Sequence, residues 1–173
     1  MQTVRALLLT DVVDSTKLSQ RLGDRAMADL WAAHDRLARD LLLPWRGREI
    51  DKTDGMLLLF DSPADAAQYA LAYHRALAGL QPPLAARAGL HVGPVLLRGN
   101  LPEDVARGAK PLEVDGLAKP TAARVMALAR GGQTLLSDEA HQALVAEGVL
   151  LAPGTGVVTQ PQGHWVLKGV ADP

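Results

Sequence analysis

The chain has 173 residues, with 18 basic against 19 acidic side chains and no cysteine. That length allows one domain with a sizeable core. The balanced charge excludes the basic field of a general nucleic-acid or membrane-surface binder, and the lack of thiols excludes disulfides and thiolate metal sites. Hydrophobic residues are plentiful at 48% but aromatics are only 3%, so Leu, Val and Ala must build the interior.

Val4 to Asp11 reads as a buried strand, followed by a short helix from Ser15 to Leu22 that Gly23 ends. Met27, Leu30, Trp31, Leu37, Ala38 and Leu41 share one face of a longer helix, predicted from Ala26 to Leu43 and ended by Pro44. Arg48 to Lys52 and Met56 to Phe60 are strands joined by a tight turn at Asp54-Gly55. Ser62-Pro63-Ala64-Asp65 is a strong helix start, with Ser62 as N-cap and Pro63 at the first helical position. That helix runs to about Ala78. Ala86 to Leu97 is a strand interrupted at Gly93-Pro94, and 99–110 is polar and irregular. Pro120 to Arg130 is helical, Gln133 to Leu136 a strand, Asp138 to Ala146 a helix, and Trp165 to Leu167 a last strand. Strands interleaved with helices and one tight hairpin imply an α+β fold, a mostly antiparallel sheet with flanking helices. The longest apolar runs are too short to span a bilayer. The first strand follows the N-terminus with no leader pattern, which makes the cytoplasm the expected compartment.

Two neighbouring strands can bring Asp11 and Asp54 side by side at one end of the sheet. Val12, Val13, Asp14, Ser15 and Thr16 then form a turn entering a helix, whose free N–H groups favour anions. Carboxylates beside such a terminus suit Mg²⁺ or Mn²⁺ together with a triphosphate.

The segments Thr10 to Thr16, Asp54-Gly55 with its following strand, Arg87 to Gly93, Asp115-Gly116 with Ala122 to Val125, Gly132 to Ser137, and 167–170 occur in one order. In that order they resemble the class III nucleotidyl cyclase catalytic domain over nearly the whole chain. The resemblance implies the ferredoxin-like, palm-type fold of that family and a single cyclase domain over residues 1–173, excised from or shorter than a longer chain. It also implies a head-to-tail homodimer, with two Mg²⁺ or Mn²⁺ ions per site held by Asp11 and Asp54. The turn Val12 to Thr16, with Lys168, would contact phosphate, Arg124 would stabilise the transition state, and Lys52 with Glu113 would read the base. The expected reaction converts a nucleoside triphosphate to its 3′,5′-cyclic form and pyrophosphate. ATP is favoured because a lysine paired with an acid matches the acceptor and donor of adenine, although other bases also present such pairs. Nucleic acid and membrane insertion are not expected. Fusion to sensor or output modules is.

Three positions depart from the family pattern. Pro120 stands where the family carries an Asn ahead of the arginine, and losing one preorganised donor typically costs roughly 10²–10³ in rate. The hairpin bearing Asp54 is shortened, so Lys52 is an approximate counterpart. Asp14 adds negative charge near the phosphates. Plainer readings stand beside these. Asp54-Gly55 suits any tight hairpin, Asp14 reads best as a helix cap, and Arg124 is equally a surface residue. His34, His74 and His91 read as core or interface residues, the tryptophans as packing, and Lys110 and Lys119 as solvated. The rival to a cyclase is a degenerate cyclase-like module that binds nucleotide or dimerises without turnover.

Overall fold

The structure, a computed structural model, describes residues 2–150 and 156–168. Its central strand β1, Gln2–Val12, places Ala6, Leu8 and Val12 on one face and Leu7 on the other, all of them buried. Where a strand is covered on both faces it must be apolar, as Ala6, Leu7 and Leu8 are.

Around β1 the sheet runs β2 (Arg48–Lys52), β3 (Met56–Phe60), β1, β4 (Ala86–Gly99), β5 (Leu112–Asp115), every pair antiparallel. A short β6, Thr134–Leu136, adds to β4 in parallel. The helices are α1 (Ser15–Leu22), α2 (Asp24–Asp40), α3 (Pro63–Ala78), α4 (Pro102–Ala106), α5 (Ala118–Leu128) and α6 (Asp138–Ala146). One core lies where α2, α3 and α6 cover the sheet through Leu30, Tyr69, Tyr73 and Leu144 against Leu8, Leu58 and Leu90. The other lies on the opposite face, where Ala118 and Ala122 of α5 meet Leu7, Leu57, Leu59, Val95 and Val114. The α+β expectation with a mostly antiparallel sheet holds.

Several expected boundaries shift. Gly93-Pro94 does not interrupt β4, which continues from Ala86 to Gly99. Pro94 falls between the stretch paired with β6 and the stretch paired with β5, so its missing N–H has no ladder partner to lose on that side. The 99–110 segment contains α4, and β5 was not anticipated. The last strand, expected at Trp165 to Leu167, is absent. Those residues form no ladder, and the Trp165 indole N–H donates to the Gln162 carbonyl at 2.9 Å. Of the expected closing segment, Gly169 and Val170 lie outside the described residues.

Candidate metal and nucleotide site

Asp11 and Asp54 come together because the hairpin tip folds back against the end of β1. Gly55 makes this possible: a Cβ there would sit 1.7 Å from the Thr10 carbonyl oxygen, so no larger residue fits. Two hydrogen bonds hold the contact. The Val12 N–H donates to the Asp54 carbonyl at 3.1 Å, and the Met56 N–H donates to the Thr10 hydroxyl at 3.0 Å. The result is an open cleft of about 450 Å³ lined by Asp11, Val12, Val13, Asp14, Ser15, Thr16, Lys17, Asp54 and Arg87.

Within the turn expected to contact phosphate, the structure narrows the expectation. The Val12 N–H is taken by Asp54 and the Val13 N–H by the Ala85 carbonyl at 2.9 Å, so neither is free for an anion. The N–H groups of Asp14, Ser15, Thr16 and Lys17 have no acceptor among the described residues. They form the positive end of α1, and this is where phosphate oxygens can be held. Asp14 does not cap the helix with its side chain, contrary to the capping expectation. Its backbone is left-handed with φ 55°, and its carboxylate pairs with Lys17 at 2.8 Å, which offsets its charge. The Ser15 hydroxyl donates to Asp54 Oδ2 at 3.4 Å.

Arg87 is the residue that sequence reasoning did not single out. β4 places it opposite Asp11, and its guanidinium meets Asp11 Oδ2 through Nε at 2.8 Å and Nη2 at 2.7 Å. The only sequence signal was its alternation with Gly89 and His91 on one face, and its partner emerges only once the strand register is known. The donor set suits a hard cation. The Asp11 and Asp54 carboxylates and the Ser15 hydroxyl face the cleft, the third carboxylate, Asp14, is paired with Lys17, and no group of three or more acidic, imidazole or thiol side chains among the described residues is arranged to hold a metal ion. Mg²⁺ and Mn²⁺ are commonly held by one or two carboxylates, with water and substrate phosphates completing the shell. Zinc wants nitrogen or sulfur ligands that are not here.

The other expected site residues lie outside this cleft. Arg124 and Lys168 are neighbours on the surface, Arg124 Nε donating to the Lys168 carbonyl at 2.9 Å. The helix bearing Arg124 lies directly on β4, because Gly89 leaves room for the α5 backbone: a Cβ would come 2.4 Å from the Met126 nitrogen. Lys52 and Glu113 do not form a pair. A bulge between Glu49 and Asp51 and the alternation beyond it turn the Lys52 ammonium to α2, where it meets Asp35 at 3.3 Å and lies 5.5 Å from the Trp31 ring centre. Asp51 instead takes the face of Leu57, and its carboxylate is hydrogen-bonded by the Lys110 ammonium. Burial pushes the Asp51 carboxyl up, but the Lys110 hydrogen bond, the Lys52 N–H and the charges of Lys110 and Lys119 outweigh it and hold the group below its ordinary value. Glu113 accepts from the Asn100 amide at 3.3 Å, and the same amide donates to the Lys110 carbonyl at 2.8 Å. Lys110 is therefore not simply solvated: its ammonium holds Asp51, and its carbonyl shares the Asn100 amide with Glu113.

No protein-family model and no curated protein matches the sequence. Solved structures do. An adenylate cyclase from Trypanosoma brucei, described in its monomeric state, superimposes with a TM-score of 0.82 at 24% identity, over 98% of this chain and 86% of that one. The adenylyl cyclase CyaB from P. aeruginosa gives 0.81 at 16% identity, over 100% and 92%. The guanylate cyclase domain of RhGC from Catenaria anguillulae, solved with GTP, gives 0.74 at 21%, over 98% and 92%. The chain thus has the fold of adenylyl and guanylyl cyclase catalytic domains, the class III cyclase fold. No helix among the described residues is long and apolar enough to cross a membrane.

Proposed function

We propose that this chain is a nucleotidyl cyclase, converting a nucleoside triphosphate, ATP by preference, to the 3′,5′-cyclic nucleotide and pyrophosphate. The observation that carries the reading is the pairing of Asp11 and Asp54 at one cleft with the free N–H groups of α1, on a class III cyclase fold. Asp11 and Asp54 would hold the divalent ions, Mg²⁺ or Mn²⁺. When bound, such ions neutralise triphosphate charge and acidify the attacking hydroxyl.

The chain's own groups do the rest. The turn from Asp14 to Lys17 cradles phosphate oxygens, and Arg87 brings positive charge to the same cleft. As the ribose 3′-oxygen bonds to the α-phosphorus, the bond to the bridging oxygen of pyrophosphate breaks and charge spreads over the α-phosphoryl oxygens. A guanidinium opposite those oxygens lowers that barrier. Arg124 is assigned this role, with Lys168 beside it. Both lie outside the cleft of their own chain, which supports a homodimer in which each subunit completes its partner's site. For the base, Glu113 keeps its place as acceptor. Lys110 replaces Lys52 as the donor, because Lys52 is turned to α2.

Pro120 supports the second reading, nucleotide binding without turnover. It occupies the first turn of α5, where its lack of an N–H is harmless but it also offers no side-chain amide. Incubation with Mn²⁺ and all four triphosphates in competition, with products identified by mass spectrometry, decides between the two. Cyclic AMP should dominate. Triphosphate binding without any cyclic product would establish the binding module instead.

A further inference from the structure

β2 holds one more residue than the stretch of β3 it pairs with, and that extra residue decides what braces the Asp54 hairpin. Glu49 stands opposite Leu58 and Lys52 opposite Met56, with the register shift between Glu49 and Asp51. In a regular strand two side chains three apart face opposite sides; a bulge between them restores a common face. Both therefore stand over the core that α2 and α3 cover, to which Leu58 and Met56 belong. α2 presents Asp35 and Arg39, four residues apart and so on one face, and each meets its counterpart. Arg39 donates to Glu49 through Nε at 2.6 Å and Nη2 at 2.8 Å, and Lys52 meets Asp35 at 3.3 Å.

The two clamps differ in where they lead. Arg39–Glu49 lies before the bulge, and half of the arginine side chain is exposed. Lys52–Asp35 lies after it, with side-chain exposures of 28% and 19%, so water and salt screen it less. The Lys52 ammonium also lies 5.5 Å from the Trp31 ring centre, within cation–π range, and donates to the Thr53 carbonyl at 3.3 Å. Thr53 opens the turn: its N–H donates to the Gly55 carbonyl at 2.9 Å, and between them the Asp54 carbonyl accepts from Val12. Asp35 is itself fixed, its other oxygen lying 2.9 Å from Nδ1 of the buried His34. A continuous set of contacts thus runs from α2 to the residue beside Asp54, through one ammonium.

We propose that Lys52 is a positioning residue for Asp54. Anchored by Asp35 and Trp31, it holds the hairpin tip to α2 while Val12 holds it to β1, and together they set the Asp54 carboxylate beside Asp11. The inference rests on the reading of those aspartates as ion and nucleotide ligands. Without the ammonium, the Thr53 carbonyl loses its donor, Asp35 loses its counter-charge, and the tip is tied on the β1 side alone.

Four variants test this. Lys52→Met keeps the stem and removes the charge, whereas Lys52→Arg keeps a cation able to reach the same partners. Asp35→Asn keeps an acceptor for His34 and removes the carboxylate. Arg46→Met deletes an ion pair to Asp65 of α3 and controls for a general loss of stability. Titration calorimetry follows binding of the Mn²⁺ complexes of 3′-deoxy-ATP and 3′-deoxy-GTP, which lack the attacking hydroxyl. Lys52→Met and Asp35→Asn should each bind both complexes about tenfold more weakly than the parent does. Their double variant should be no weaker than either alone, since both break one contact. Lys52→Arg should recover most of the affinity, and Arg46→Met should match the parent. Without ligand, exchange of the Val12 amide, measured by NMR, should quicken about tenfold in Lys52→Met and not in Arg46→Met. Affinity or Val12 exchange equal to the parent's in Lys52→Met overturns the proposal. So does a loss confined to one of the two bases, which would make Lys52 a reader of the base. A parent that binds neither complex defeats the cyclase reading instead, and Val12 exchange then still decides whether Lys52 holds the hairpin.

Discussion

At the scale of single residues, Asp11 is a half-buried carboxylate closing a strand whose middle is covered on both faces, and a group so placed gains from a partner or an ion. Within the chain that partner is Arg87, two of whose nitrogens reach one Asp11 oxygen. Asp11→Asn keeps the shape and removes the charge on which both Arg87 and a divalent ion depend. Turnover should drop on the order of 10²-fold or more. Circular dichroism and sedimentation should report an unchanged fold and assembly, and near-normal activity with Mn²⁺ would refute the assignment. Asp11 and Asp54 were legible in the sequence because each stands out against an apolar run. Arg87 was not, since an arginine on a strand means little until register sets Asp11 opposite it. Lys52 was hard to place for a related reason: a bulge in β2 lies just before Asp51, and beyond it Asp51 takes the face of Leu57 while Lys52 turns to α2.

At the scale of elements, legibility tracked how many local signals agreed. α3 begins as expected because Ser62 accepts the Asp65 N–H at 3.3 Å and Pro63 opens the first turn. The hairpin of β2 and β3 was legible from its turn and its continuous apolar second strand. β5 has only four residues, two of them acidic, and exists because Leu97 and Val114 pair on the face under α5. Nothing in its own sequence favours a strand over a loop. The close approach of turn to strand at Gly55 is similarly tertiary, and it makes a sharp prediction. In Gly55→Ala the new methyl overlaps the Thr10 carbonyl, so the hairpin must lift from β1. A loss on the order of 2–4 kcal/mol in denaturant unfolding is expected, with loss of ion and nucleotide binding as Asp54 moves away from Asp11. A variant as stable as the parent would show that the turn is free to move and does not itself set the carboxylate spacing.

At the scale of the whole molecule, the proposed machinery divides into two surfaces. Asp11, Asp54, Arg87 and the α1 terminus share one cleft, while Arg124 and Lys168 meet elsewhere. A reaction that needs a cation across from the carboxylates cannot draw Arg124 from the same chain in this arrangement. The division becomes sensible if two copies face each other, each lending Arg124 to the other's aspartates. Asp54→Asn and Arg124→Ala should each be inactive alone. Mixed and allowed to exchange subunits, they form a hybrid whose two sites are unequal: one carries both defects and the other carries none. With random exchange about half of the dimers are hybrids holding one intact site, so activity should return to roughly a quarter of the parent's, in the manner of other shared interfaces. Light scattering and a tagged-subunit exchange assay establish that hybrids have formed. Silence from a mixture proven to contain them would place Arg124 and the aspartates in separate roles and end the shared-site reading.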